Sequence, residues 1–393
     1  MSDTYILTLN AGSSSLKFAL FDDSSCVGRG AITGLGTKPD FSFKSDLLAQ
    51  SHIPPLLPDD CRTTAHATQA LIEWLEKSLP TGSIKAVGHR VVHGGDRAQS
   101  MLVTKELRAQ LEKLIPLAPL HQPFNLEAVD LITKFNPDIP QVACFDTSFH
   151  ATMPPLHRRF ALPRKWHDEG VKRYGFHGLS YEYITGRLRE TSQRAFQGRT
   201  IAAHLGNGAS LCALKGGQSF DTSMGFSALD GLVMGTRPGT LDAGVMLYFM
   251  QHAKLDESTI EHVLYRESGL LGVSGISADM KTLLESNELT AREAIDLFCL
   301  RIAREAGGLI SLMGGIDAFV FTGGIGEHGT EIRAQVAASM EWAKLALDTG
   351  KNDAATGNEE QLLSTPQSAV EIRLIPTDEE SVIARHVREV LKT

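Results

Sequence analysis

The chain has 393 residues, of which 42% are hydrophobic and 21% charged, and carries a net charge of -8. That balance disfavours a nucleic-acid protein, which would usually show a basic patch, and no run approaches the roughly 18 apolar residues of a membrane span. The N-terminal MSDTY is polar and shows no secretory signal, and the five scattered cysteines, Cys26, Cys61, Cys144, Cys212 and Cys299, form no CxxC pair, so a reducing cytoplasm is the expected compartment.

The length accommodates about two to three domains, and mixed strand and helix patterns indicate an α/β protein. The apolar run Tyr5 to Leu9 predicts a strand that ends in the Gly/Ser-rich turn of Asn10 to Phe18. Such a turn offers backbone N–H groups and the hydroxyls of Ser13 and Ser15 to phosphate oxygens. Lys17 adds a cation and Asn10 a neutral oxygen ligand. Taken alone, the stretch is equally an ordinary hairpin tip. Thr63 to Leu79 carries Leu71, Ile72, Leu75 and Leu79 at helical spacing, and Ile84 to Val92 reads as a strand with Arg90 inside it. A charged residue there is rarely fully buried unless paired, and Asp96 or Asp146 could close a purely structural ion pair. His121 lies between prolines. A strand over Gln141 to Phe145 puts Asp146 at its C-terminal end, where open α/β sheets build their sites.

The Pro/His/Arg-rich segment Met153 to Arg164 is the expected crossover between domains. Beyond it, His177 sits in the Gly-flanked turn of YGFHGLS, and Arg237 in that of GLVMGTRPG. A histidine in such a turn is more often a hydrogen-bonded loop residue than a catalyst, and Arg237 could cap a helix or bind a carbonyl. Between them the strand–turn construction recurs: an apolar run from Ile201, then Gly206-Asn207-Gly208, a hydroxyl at Ser210 and another apolar run. Ser258 with Glu261, and Thr290 with Glu293, fit capping boxes. The second opens a long helix through Ile295, Phe298, Ile302 and Leu309, stopped by Gly314-Gly315. A strand to Phe321 then runs into the turn Thr322-Gly323-Gly324-Ile325-Gly326, and a strand over Glu371 to Ile375 leads through Pro376 to Glu380 into a last helix. None of the three Gly-rich turns matches GxxxxGK[ST] or GxGxxG, and the histidines form no zinc-type cluster. The recurrence near residues 10 and 206 suggests an internal duplication, with a nucleotide bound in the cleft between domains.

Taken jointly, NAGSSSLKF, GHRVVHGG, APLH, FDTSFHATMP, RYGFHG, HLGNGAS, MGTR, FTGGIGE and IPTDEE, in this order from Asn10 to Glu380, resemble the acetate kinase family. The resemblance implies a duplicated actin-like, sugar-kinase and chaperone-ATPase (ribonuclease H-like) fold with an interdomain active-site cleft. It implies an N-terminal domain of residues 1–150 plus roughly 377–393 and a C-terminal domain of residues 151–376, the latter with the adenosine site and the interface of a homodimer. The implied reaction is the reversible transfer of the ATP γ-phosphoryl group to acetate, giving acetyl phosphate and ADP. Mg²⁺ is the implied cofactor, with Mn²⁺ able to substitute, in a cytoplasmic enzyme with no nucleic-acid or membrane partner.

By the same resemblance, Asn10 and Glu379 hold the metal, while Lys17, Ser13, Ser15 and the loop His204, Leu205, Gly206, Asn207 and Gly208 contact phosphates. Arg90 binds the acetate carboxylate and is catalytic together with Asp146, His177 and Arg237. Val92, Leu120, Phe176 and Ala228 wall the methyl pocket. Asp279, Met280 and Lys281, with Gly323, Gly324, Ile325, Gly326 and Glu327, surround the adenosine. Phosphoryl transfer needs charge neutralisation and alignment more than covalent chemistry, and two guanidiniums can supply both. Acetate, with a pKa of about 4 to 5, is already ionised at neutral pH, so Asp146 is expected to position groups and not to abstract a proton. Two departures from the family pattern stand out. Lys281 replaces the usual arginine of Asp-x-Arg and lacks a planar group to stack on a base, which bears on nucleotide preference. Ala228 replaces the usual proline nine residues before the catalytic arginine. The competing readings are a propionate or butyrate kinase, and an ATPase module that keeps the phosphate loops without needing Arg90, His177 and Arg237 as a set.

Overall fold

The computed structural model describes residues 4–12, 15–45, 61–79 and 84–392. The chain divides into two compact units, one running to Ser148 and resumed at Asp378, the other spanning Phe149–Thr377.

In the first unit, β1 (Tyr5–Ala11), β2 (Ser15–Phe21), β3 (Cys26–Thr33) and β4 (Asp40–Ser45) form an antiparallel meander. On the other edge of β1, β5 (Ile84–Val91) and β7 (Gln141–Phe145) add in parallel, and the short β6 (Met101–Leu102) closes the order β4-β3-β2-β1-β5-β7-β6. β1 and β7 are apolar almost throughout and buried, as expected of strands at the centre of a covered sheet. On one face Phe18 stacks with Phe43 at 5.7 Å, and Trp74 of the helix Thr64–Ser78 meets Phe43 edge-on at 5.0 Å. The helix Glu379–Leu391 returns to this unit and lies on β5 at Gly88. A Cβ at Gly88 would come within 2.4 Å of Ile383 and 2.7 Å of Val387, so only glycine permits that approach.

The second unit repeats the plan. β8 (Arg199–Leu205), β9 (Ala209–Lys215) and β10 (Gln218–Thr222) form the antiparallel meander. β11 (Ala318–Thr322) and β13 (Glu371–Leu374) add to β8 in parallel, with the short β12 (Gln361–Leu362) at the edge, in the order β10-β9-β8-β11-β13-β12. Thus β3-β2-β1-β5-β7 and β10-β9-β8-β11-β13 are the same motif twice. This is the duplicated actin-like, sugar-kinase type of α/β fold. Among the described residues, no helix is long and apolar enough to cross a membrane.

Three local expectations are corrected. The helix Glu257–His262 is capped by Asp256, whose carboxylate accepts from Thr259 N at 2.8 Å, and not by Ser258. The helix Leu289–Met313 starts at Glu288 without a side-chain cap, so Thr290 lies inside it; its other end is Gly314, at φ 76°, as expected. The GGIG segment after β11 is no open turn but the start of the helix Gly323–His328. Gly323 has φ 75°, and a Cβ there would lie 2.8 Å from Leu205 O. The third glycine-rich segment is therefore packed backbone to backbone against the end of β8.

Candidate active site

Each unit gathers its own set of polar residues where parallel strands end. In the first, Asn10 on β1 and Lys17 on β2 are cross-strand partners, and Lys17 is exposed. The hairpin between them closes through Gly12 N to Ser15 O at 2.8 Å; Ser13 lies outside the described residues. Parallel pairing of β5 with β7 in the register Val91↔Phe145 brings Arg90 to Asp146. Arg90 Nε donates to Asp146 Oδ1 at 3.0 Å and Nη2 to Oδ2 at 2.6 Å, a bidentate fork. Its Nη1 donates to Asn10 Oδ1 at 3.3 Å and lies 3.4 Å from Glu379 Oε2. Asn10 Nδ2 also donates to Glu379 Oε2, at 3.3 Å. Burial works against the Arg90 charge, but Asp146 and Glu379 outweigh it and hold the guanidinium above its ordinary pKa. Asp146 and Glu379 are 1% and 8% exposed, so Glu379, the first residue of its helix, is buried.

Two carboxylates against one guanidinium leave this cluster one negative charge in excess. Asn10 Oδ1 and the Glu379 carboxylate are neighbouring hard oxygen donors, which suits Mg²⁺, a cation commonly bound through one or two protein oxygens plus substrate phosphates. Among the described residues, no group of three or more His, Cys, Asp or Glu forms an alternative metal centre. Val92 is fixed in the same unit. Its N–H donates to Asn125 Oδ1 at 3.0 Å, and Asn125 Nδ2 reaches back to Ala11 O at 2.6 Å. Leu120 is half-buried nearby in sequence, before the helix Gln122–Phe135.

In the second unit, His177 caps the helix Gly178–Thr191 with a left-handed backbone, φ 58°, a sparsely populated region for a residue other than glycine. Its ring stacks on that of His204, with centroids 4.3 Å apart. Serines brace both rings: His204 Nδ1 lies 2.9 Å from Ser180 Oγ, and His177 Nδ1 lies 2.8 Å from Ser210 Oγ. Arg237 is 6% exposed, and its Nη1 donates to Ala228 O at 2.6 Å. Among the described residues no carboxylate pairs with it, and burial pulls its pKa down to about 10. A Cβ on Gly208 would meet Arg237 Nη2 at 2.9 Å and His177 Nε2 at 3.3 Å. The glycine of the second loop therefore lets a guanidinium and an imidazole converge on the same point. Asn207 is held away from it: its Oδ1 packs on Gly235, where a Cβ would sit 1.8 Å away. Phe176 and Ala228 are both buried in this unit.

The GGIGE segment is anchored at both ends. Glu327 Oε1 accepts from Gly323 N at 2.9 Å and from Thr377 N at 3.1 Å. Arg333, fully buried, donates through Nη1 to Gly326 O at 3.0 Å and Glu327 O at 2.7 Å, and through Nε to Asn352 Oδ1 at 2.7 Å. Gly324 and Ile325 remain accessible. Asp279 caps the helix Met280–Leu284 by accepting from Thr282 N at 2.8 Å, Met280 is buried, and the Lys281 side chain is 83% exposed.

Several residues here escape a reading of the sequence. Arg333 has no motif around it. His150 ends FDTSFH, but only the fold sets its Nε2 2.9 Å from Phe176 O and its Nδ1 2.8 Å from Ser219 Oγ, fixing the loop that presents His177. Burial pulls its pKa down to about 4, so it is neutral. Ser210, which the sequence presents as a phosphate-loop hydroxyl, is fully buried and turned to His177.

A twice-built fold of the sugar-kinase type, with a guanidinium–carboxylate cluster in one unit and a guanidinium–imidazole pair beside a glycine loop in the other, defines a phosphotransferase. A model of the acetokinase family matches residues 5–385, and the chain belongs to that family, whose kinases act on a carboxylate acceptor. It is 49% identical over 398 residues to acetate kinase of Rhodopseudomonas palustris, covering 98% of each chain. Among solved structures it resembles acetate kinase of Porphyromonas gingivalis (34% identical, TM-score 0.83, 99% and 100% of the chains covered). It also resembles a propionate kinase of Francisella tularensis (35% identical, TM-score 0.87, 98% of each).

Proposed function

We propose that this chain phosphorylates acetate reversibly with ATP, giving acetyl phosphate and ADP. The observation that carries this reading is the convergence of Arg237 and His177 on Gly208, a pair of donors at the end of a phosphate-type loop. An ionised carboxylate oxygen attacks the γ-phosphorus. The new O–P bond forms as the bond to the β-phosphate oxygen breaks, and ADP leaves with that electron pair. No proton is moved, so no general base is needed. Arg237 meets the charge on the transferring group, and His177 donates to one of its oxygens. Lys17, Ser13 and Ser15 with the loop from His204 to Gly208 bind phosphates, and the segment from Gly323 to Glu327 lies along the adenosine. In the first unit Arg90 receives the acetate carboxylate. Asp146, locked bidentately on Arg90, orients it. Asn10 and Glu379 would hold Mg²⁺, which supplies charge neutralisation to the phosphates when bound. The residues assigned to the methyl pocket, Val92, Leu120, Phe176 and Ala228, are all apolar and leave a short alkyl tail nothing to hydrogen-bond.

The exposed Lys281 gives the base one planar contact fewer, so discrimination between ATP and GTP is expected to be modest. A homodimer in the cytoplasm completes the reading. It is supported by the helix Ala243–Gln251, which has no buried residue although it carries Leu247, Tyr248 and Met250. A hydroxamate assay with Mg-ATP and acetate, propionate or butyrate tests the activity. Acetyl hydroxamate in excess over the others is expected; ATP hydrolysis without acyl phosphate from any acid would establish the ATPase reading instead. The propionate kinase among the structural relatives favours propionate as a usable second substrate.

A further inference from the structure

We propose that Ser210 and Tyr181 are positioning residues that hold His177 in the Nε2–H tautomer, so that its donor faces the side where Arg237 lies. The proposal rests on the reading of His177 as a phosphoryl-oxygen donor. Three buried groups form a line: Tyr181 Oη lies 2.5 Å from Ser210 Oγ, which lies 2.8 Å from His177 Nδ1. The serine hydroxyl has one proton to place between two neighbours. A phenol is the stronger acid, hence the better donor and the poorer acceptor, and an unprotonated imidazole nitrogen is the better acceptor. The chain of donors therefore runs from the Tyr181 O–H to the Ser210 oxygen, and from the Ser210 O–H to Nδ1. With Nδ1 accepting, the proton of a neutral ring sits on Nε2. Nε2 is the atom that borders the Gly208 Cβ position beside Arg237 Nη2.

The backbone explains why this line is available. Tyr181 stands one turn after His177, and its N–H donates to His177 O at 3.1 Å, so its side chain returns beneath the ring that caps the helix. Ser210 enters from β9, one strand along from His204. His150 fixes the peptide just before His177 through Phe176 O. The ring is thereby held against His204 on one face and addressed at Nδ1 by the Ser210 hydroxyl.

The test uses the full chain labelled with ¹⁵N-histidine, with the His177 signals assigned by their loss in His177→Gln. Two-bond ¹H–¹⁵N spectra at neutral pH should show a protonated Nε2 and an unprotonated Nδ1. Ser210→Ala should mix the tautomers and lower kcat by about 10- to 100-fold, as loss of a histidine-orienting partner does at metal centres, with KM for ATP and acetate changed by no more than about twofold. Tyr181→Phe should move both readouts the same way by less, and it serves if Ser210→Ala does not fold. A wild-type Nδ1–H tautomer, or a tautomer and kcat unmoved in both variants, overturns the proposal. Full turnover by His177→Gln overturns the catalytic reading beneath it, whatever the tautomer.

Discussion

Arg90, on β5 of the first unit, and Arg237, in the loop between β10 and the helix Ala243–Gln251 of the second, occupy opposite electrostatic settings. Arg90 is paired with carboxylates: Asp146 takes one edge of its fork, and Asn10 and Glu379 meet Nη1. Arg237 is buried with, among the described residues, a single carbonyl partner, and its pKa falls to about 10. A buried cation without a counter-ion is unfavourable unless an anion completes it. The folded chain thus holds one arginine already paired with carboxylates and one that, among the described residues, has no counter-ion, which supports the roles proposed for Arg90 toward a carboxylate and for Arg237 toward a phosphoryl group. On the proposed reading Arg90 both holds its unit together and binds acetate, whereas Arg237 acts on the transferring group alone.

The largest effect should follow from Arg90→Ala, which strands two buried carboxylates. Breaking a buried pair is expected to destabilise by about 3 to 5 kcal/mol, and acyl phosphate synthesis should fall with it. Chemical denaturation of Arg90→Ala against the double variant Arg90→Met/Asp146→Asn checks this. Recovery of stability without activity in the double variant supports the contrast, and an unchanged denaturation midpoint in Arg90→Ala refutes it. Arg237→Met should do the reverse: kcat lower by about 10²–10³, or roughly 3 to 4 kcal/mol, with a melting temperature equal to or above that of the wild type. A clear loss of stability there would mean that Arg237 is structural too.

Acidification should separate the units by a smaller step. His89 and His93 in the first unit and His150 in the second are buried, and desolvation pulls each down to about 4 from 6.5. A depressed histidine binds fewer protons folded than unfolded, so its stabilisation is complete above pH 6.5 and is lost as pH falls towards 4. The slope approaches roughly 1.4 kcal/mol per pH unit for each histidine. Among the described residues two such groups lie in the first unit and one in the second, so hydrogen exchange between pH 6.5 and 4.5 should show the first unit loosening before the second. Equal loosening would leave the histidines without that role.

Substitutions of the metal and pocket residues are finer probes. Glu379→Gln should raise the Mg²⁺ concentration needed for half-maximal rate, and an unchanged titration would remove Glu379 from that site. The smallest effect belongs to Ala228→Pro. An added or lost methylene in an apolar pocket is worth about 1 to 3 kcal/mol, so the propionate-to-acetate ratio of kcat/KM should fall. Because the Ala228 carbonyl also holds Arg237, kcat for acetate should shift as well. A changed ratio with kcat untouched would show that the wall and the anchor are independent.

The sequence by itself determined the elements whose cause is local and the family whose motifs are contiguous. The strand at Tyr5, the strands over Ile84 to Val91 and Gln141 to Phe145, and the long helix to Gly314 are written in short-range periodicity and in a left-handed glycine stop. Helix starts were less legible, because Ser, Thr and Asp compete over two or three positions for the same amides, and Asp256 takes those that Ser258 seemed to claim. Only the tertiary structure decided what depends on contacts distant in sequence. Asp96 and Asp146 were equal candidates for Arg90 until the parallel register of β5 with β7 set Asp146 beside it. Glu379 opens the last helix, and its burial follows only from the docking of that helix on β5 at Gly88. Ser210 alternates along β9 with a neighbour on the opposite face, and which face meets His177 is a property of the sheet and its covering helix, not of the local residues.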